Sequence, residues 1–164
     1  MKRIKLCDRL LPDYTRGEEI MNMVTHIVGG GLGILILLVC LAKGIWGRST
    51  FDIVGSAIFG GTMIVLYTMS SVYHGLNAGT GKKVMQIIDH CTIYFLICGT
   101  YTPILLSRFV PAYPVIGWGL LGAEWVLAII AGTLTAIELK KYNVLSMICY
   151  ITMGWESYSF FPSL

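Results

Sequence analysis

The sequence predicts an all-α fold, a polytopic bundle of transmembrane helices, and three observations carry that prediction. The chain is 55% hydrophobic and only 13% charged, where a soluble domain has roughly 25% charged residues. Its mean hydropathy is +0.73. Its apolar residues are gathered into runs of about 20, the length that crosses a bilayer core of about 30 Å. A water-soluble fold of 164 residues with this composition would expose too much apolar surface.

Residues 1–22 read as a cytoplasmic tail or interfacial segment, and residues 23–164 as the transmembrane helical domain. The tail carries Lys2, Arg3, Lys5, Arg9 and Arg16 among acids, ends in Glu18 and Glu19, and shows no cleavable apolar region. An amphipathic interfacial segment and a disordered tail up to Arg16 are equally compatible with it. Four spans follow, near residues 23–42, 53–73, 84–106 and 115–137. A fifth apolar segment starts near Asn143 but meets Glu156, Ser157, Ser159 and Pro162 soon after Trp155. Its 14 or so good residues, counted against the usual ~20, make it short for a crossing.

Orientation follows from the basic residues. With the N-terminus cytoplasmic, the inside segments hold the five basic residues of the tail plus Lys82, Lys83, Lys140 and Lys141, and the outside loops hold Lys43, Arg48 and Arg108. Nine against three favours the N-terminus inside, in a multi-pass protein of the cell membrane whose partners are membrane lipids. The net charge of +3 comes from loop clusters rather than a basic face, so nothing points to nucleic acid.

Several polar residues then fall at one depth. Glu19, Asn22 and His26 open the first span, Ser70 and His74 end the second, and Asp89 lies near the start of the third. The alternating direction of the spans places all six on the cytoplasmic side. Spacings of three and four put Glu19, Asn22 and His26 on one helix face, and Ser70 with His74 on another. Ionisable groups at such positions are costly and usually functional, and an imidazole with a carboxylate looks like half of a metal site.

The same residues carry a resemblance. Glu19-x-x-Asn22-x-x-Thr25-His26, Ser70-x-x-x-His74, and Asp89-His-x-x-Ile93 continuing to Gly99-Thr-Tyr-x-Pro103 resemble the bacterial hemolysin III family. That family is related to the progestin and adiponectin receptors, within a wider group that contains alkaline ceramidases. The match covers roughly residues 17–155. It implies a seven-helix, N-in membrane protein with zinc held between helices two, three and seven. His74 would be a direct zinc ligand. Asp89 would hold a zinc-bound water or ligate directly, and Ser70 would support the site from behind; Asp89 and Ser70 are thus the catalytic candidates. The family's two other ligands are histidines in a His-x-x-x-His motif on the seventh helix, which this sequence lacks. A C-terminally truncated or frameshifted member is therefore expected, with weak or absent zinc binding and little activity. Three functional readings remain: a zinc-dependent hydrolase of lipid amides or esters, a receptor-like protein with structural zinc, and a cytolytic protein as the family name suggests.

Other features are secondary. Glu124 lies in mid-span of the fourth helix, where a carboxylate is expensive, so it is expected to be protonated or to face a polar cleft near Thr100 or Thr133. Gly29 with Gly33, Ser56 with Gly60 and Ala57 with Gly61 are small pairs that allow close helix approach, for packing within the chain rather than for a dimer. Pro103 should kink the third helix, with neighbouring hydroxyls satisfying the freed carbonyls. Cys7, Cys40, Cys91, Cys98 and Cys149 read as small buried apolar residues rather than disulfides or ligands. Trp46, Tyr73, Tyr113 and Trp118 read as an interfacial belt.

Overall fold

The computed structural model describes residues 6–137 and 147–152. Among these it is helical throughout, with no strand: α1 (Arg16–Trp46), α2 (Thr50–Gly75), α3 (Thr80–Ile104), a π-helical turn (Leu105–Phe109), the short α4 (Val110–Ala112) and α5 (Pro114–Ile137), preceded by a 3₁₀ turn at Leu6–Asp8. Four helices are long and apolar enough to cross a membrane: α1, α2, the continuous stretch Thr80–Ala112, and α5. The expected fifth helix lies mostly outside the described residues. Of it, residues 147–152 are helical, and Tyr150 packs its ring 4.5 Å from that of Tyr94.

The helix starts are set by local chemistry. α1 begins at Arg16, well before the apolar run, because Thr15 and Glu18 form a capping box. The Glu18 N–H donates to Thr15 Oγ1 at 3.3 Å, and the Thr15 N–H donates to Glu18 Oε2 at 2.7 Å. Two of the helix's orphan donors are thus satisfied, and Glu18 and Glu19 suit the positive end of the helix dipole. Residues 16–22 of the tail or interfacial segment are thus already helical, Glu19 among them. Ser49 caps α2 by accepting from the Asp52 N–H at 3.2 Å.

The helices form a row in chain order. α2 packs between α1 and α3, and α5 lies against the other side of α3, while α1 and α5 make no contact among the described residues. Small residues set the close approaches. A Cβ on Gly29 would lie 2.7 Å from the Tyr67 ring, one on Gly33 would lie 3.0 Å from Met63 Sδ, and one on Gly60 would lie 2.6 Å from Leu37. The Gly29/Gly33 and Ser56/Gly60 pairs therefore serve α1–α2 packing. The Ala57/Gly61 pair does not: Ala57 is exposed and Gly61 faces open space.

Pro103 marks where α3 changes character. The helix widens into the π-helical turn one residue after Ile104, and Gly55 of α2 lies so close that its Cβ would sit 2.6 Å from Pro103 Cα. The Thr102 hydroxyl donates to the Cys98 carbonyl at 2.7 Å. It thus serves the residue before Gly99, whose carbonyl the proline frees. On the same side, Ser107 donates to the Asp52 carboxylate, tying the turn to the start of α2.

Thiols and hydroxyls join α3 to α5. Cys98 Sγ donates to the Glu124 carbonyl at 3.1 Å, Cys91 Sγ to the Gly132 carbonyl at 3.3 Å, and Tyr94 and Thr135 share a 2.9 Å bond. The described thiols of Cys40, Cys91, Cys98 and Cys149 are free; the Cys7 side chain lies outside the described residues. Glu124 is only 1% exposed, and its Oε2 lies 4.0 Å from Cys98 Sγ. The expectation that it faces Thr100 or Thr133 is corrected here. Both hydroxyls are exposed and turn back onto their own helices, to the Leu96 and Ile129 carbonyls.

Close approach makes a sharp prediction. Gly55→Ala should destabilise the protein in detergent by about 1–3 kcal/mol, because the new methyl meets backbone that cannot step aside. Gly61→Ala should be neutral or mildly stabilising, since alanine is the better helix former by about 1 kcal/mol. Thermal unfolding of the two variants checks both.

Candidate functional site: a polar layer on Glu19

The start of α1, the end of α2 and the start of α3 lie at one end of the bundle, because consecutive spans alternate in direction. Glu19 is at the centre of that end. Its Oε2 accepts from His74 Nδ1 at 2.7 Å, and its Oε1 lies 2.7 Å from Lys82 Nζ. One carboxylate thus ties α1 to both α2 and α3. Lys82 also donates to the Leu76 carbonyl at 2.9 Å, closing the end of α2, and its ammonium sits 5.2 Å above the Tyr73 ring. The lysine is 6% exposed, so its charge is taken out of water and matched by the carboxylate, the carbonyl and the ring face.

The histidine ring is enclosed on several sides. Tyr73 lies 4.6 Å away between centroids, His26 stacks at 5.8 Å with 22° between planes, and Tyr14 lies at 5.9 Å. His26 Nδ1 donates to the Asn22 carbonyl at 2.6 Å. Glu19 beside an ammonium is a carboxylate, and a carboxylate only accepts, so His74 Nδ1 carries a hydrogen. A carbonyl likewise only accepts, so His26 Nδ1 does too. In the neutral rings the Nε2 lone pairs of both are left for another partner.

Of the predicted site residues, Glu19, His26 and His74 come into direct contact, and Asn22 joins through its backbone. Ser70 is buried one turn before His74. Asp89 is half-buried on α3; its carbonyl accepts from the Thr92 hydroxyl at 2.7 Å. The bonds of the layer converge on Glu19. His90 is outside it, with Nδ1 on the Gln86 carbonyl of its own helix at 2.8 Å.

Three contributors escaped the sequence reading. Lys82 was counted only as a loop charge. Tyr73 was placed in the interfacial belt, yet it is 2% exposed and packs against His74. Trp46, Tyr113 and Trp118 are exposed, as belt residues are. Tyr14 lies in the tail and carried no signal. A spacing signal existed for Tyr73 alone, which stands beside His74 in the chain.

The family model "Haemolysin-III related" matches residues 14–164. The chain belongs to that family. It is 39% identical over 144 residues to a "Hemolysin-3 homolog" of Bacillus subtilis (strain 168), covering 87% of this chain and 65% of that protein. It is 34% identical over 138 residues to "Hemolysin-3" of Bacillus cereus, covering 84% of this chain and 62% of that protein. The chain thus spans a little less than two thirds of the length of these relatives. No solved structure matches it.

The resemblance implies zinc, and the donor set can be tested against it. A catalytic zinc takes three protein ligands and a structural one takes four. Among the described residues no three His, Cys, Asp or Glu side chains converge on one point. The Glu19 carboxylate is committed on both oxygens to His74 and Lys82. The layer offers imidazole Nε2 atoms, which alone do not complete a zinc site.

A double-mutant cycle tests the Glu19–Lys82 pair. Glu19→Gln and Lys82→Met should each destabilise the protein, by about 3–5 kcal/mol where one buried charge is stranded. The double variant should lose less than the sum, with a coupling of about 1–3 kcal/mol. Unfolding in detergent of the four forms measures it.

Proposed function

We propose that the layer is the protein's half of a membrane-embedded hydrolytic site for lipid amides or esters, zinc-dependent in the complete assembly of ligands, on the cytoplasmic side of an N-in cell-membrane protein. The 2.7 Å bond from His74 Nδ1 to Glu19 supports this reading most directly. An imidazole that binds a metal usually gives its other N–H to a carboxylate, which fixes the tautomer and raises the basicity of the ligating nitrogen. Glu19 does this for His74. Lys82 keeps Glu19 ionised and in place, and the Tyr73 and His26 rings fix the plane of the imidazole.

The chain's own groups would share the work as follows. His74 presents Nε2 to an electrophile, and Asp89, half-buried on the next helix, would supply a second negative group. The buried Ser70 hydroxyl backs the imidazole. The layer lies where the end of the bundle meets the membrane surface, the depth at which the amide or ester of an embedded lipid is held. Further ligands would have to come from residues other than those described, and the relatives are longer proteins. A receptor-like role with structural metal draws on the same bonds, because a group that joins α1, α2 and α3 also holds them together.

Zinc titration of the purified protein followed by calorimetry tests the reading. The 164-residue chain should bind zinc weakly, His74→Ala should abolish that binding, and Glu19→Gln should weaken it about 10–100-fold. Zinc binding that ignores both substitutions would contradict the proposal.

A further inference from the structure

The segment before α1 is fastened at four places along the end of the bundle that carries the His74 layer. At its far end Arg9 Nη2 donates to the Ala136 and Ile137 carbonyls, at 3.3 and 2.7 Å. These carbonyls lie in the last described turn of α5. At its near end the Thr15–Glu18 capping box fixes the angle at which the segment leaves α1. Between them the Tyr14 ring lies 5.9 Å from the His74 ring. The 3₁₀ turn Leu6–Asp8 rests on α3.

The segment therefore runs across the end of the row from its first helix to its last. Its reach is limited. The chain from Arg9 to Arg16 extends at most about 25 Å, and three interhelical spacings of 8–10 Å make about 24–30 Å. A segment with so little slack lies across the bundle end rather than looping away from it. The geometry also agrees with four crossings, since the start of α1 and the end of α5 then share one membrane face.

We propose that residues 6–15 form a closed strap over the His74 layer, with Arg9 as its latch on α5 and Tyr14 as the ring that covers the imidazole. The strap sets access to the layer from water. Opening it requires loss of the two Arg9 bonds and leaves α1, α2 and α3 joined through Glu19, which sits beneath it. The inference is independent of zinc and of any hydrolytic role, and its test needs neither.

Carbethoxylation of imidazoles by diethyl pyrocarbonate, read peptide by peptide by mass spectrometry on the full chain in detergent micelles, supplies the test. In the wild-type protein His74 should react more slowly than His90. Arg9→Ala, which removes both bonds, should raise the His74 rate by at least about tenfold, the factor that one hydrogen bond from a charged donor already supplies, with His90 unchanged. Arg9→Lys, which can serve one carbonyl at a time, should fall between. Tyr14→Ala should expose His74 with the latch intact. An unchanged His74 rate in both Arg9→Ala and Tyr14→Ala overturns the strap. So does a parallel rise at His74 and His90, which would show the whole bundle opening instead.

Discussion

Glu19 is the point on which the rest of this structure depends, because a single carboxylate answers two donors from two other helices. In hydrocarbon there is no hydrophobic force to drive helix against helix, so association rests on packing, on hydrogen bonds and on lipid entropy. The bond to His74 and the contact with Lys82 supply directional links at the end of the bundle. They also commit the layer. A carboxylate between an imidazole and an ammonium cannot be neutralised or removed without stranding a buried lysine, and that is costlier than never having had the charge there. The stretch from Tyr73 to Lys82 is held by the same arrangement, since Lys82 turns back onto the Leu76 carbonyl.

Away from that end, cohesion comes from contact. Gly29, Gly33 and Gly60 let α1 lie against α2, and Gly55 lets α2 meet the proline turn of α3. The α3–α5 interface works differently, through Cys91, Cys98 and Tyr94, which bond to groups on α5. Thiol donors to helix carbonyls are weak, and they suit an interface where Glu124 is sealed from lipid at mid-depth. Charge and contact are thus separated along the bundle: a charged layer at one end, and a largely uncharged interior.

Much of this was legible in the sequence. Run length and hydropathy give the four crossings, since a bilayer allows few alternatives to helix. Alternating direction gives the common depth of Glu19, His26, Ser70 and His74. The motifs point to the hemolysin III family, in which the matched residues and relatives place the chain. What escaped was partner choice. Lys82 carries the same charge as its neighbour Lys83, and only the fold tells which one turns inward onto Glu19. Tyr73 obeys the statistics of an interfacial aromatic, yet its place beside His74 buries it. Glu124 was expected to be protonated or to face a polar cleft near Thr100 or Thr133, but both hydroxyls bond their own backbones, and the Cys98 thiol lies beside the carboxylate. Arg9 could not be placed on α5 from spacing, because the contact joins opposite ends of the described chain.

The central claim is that Glu19 holds the start of α1 against the end of α2, and cross-linking beside it tests that most directly. A Cβ on Gly75 would lie 4.0 Å from Met23 Cγ, the atom whose place a cysteine Sγ takes, which is within about 1 Å of what a disulfide needs. Met23→Cys with Gly75→Cys should therefore form a disulfide in native membrane vesicles, identified by mass spectrometry of the joined peptide. Adding Glu19→Gln should slow its formation severalfold as the helix ends part. A pair that fails to join, or that joins at the same rate without the carboxylate, would contradict the account.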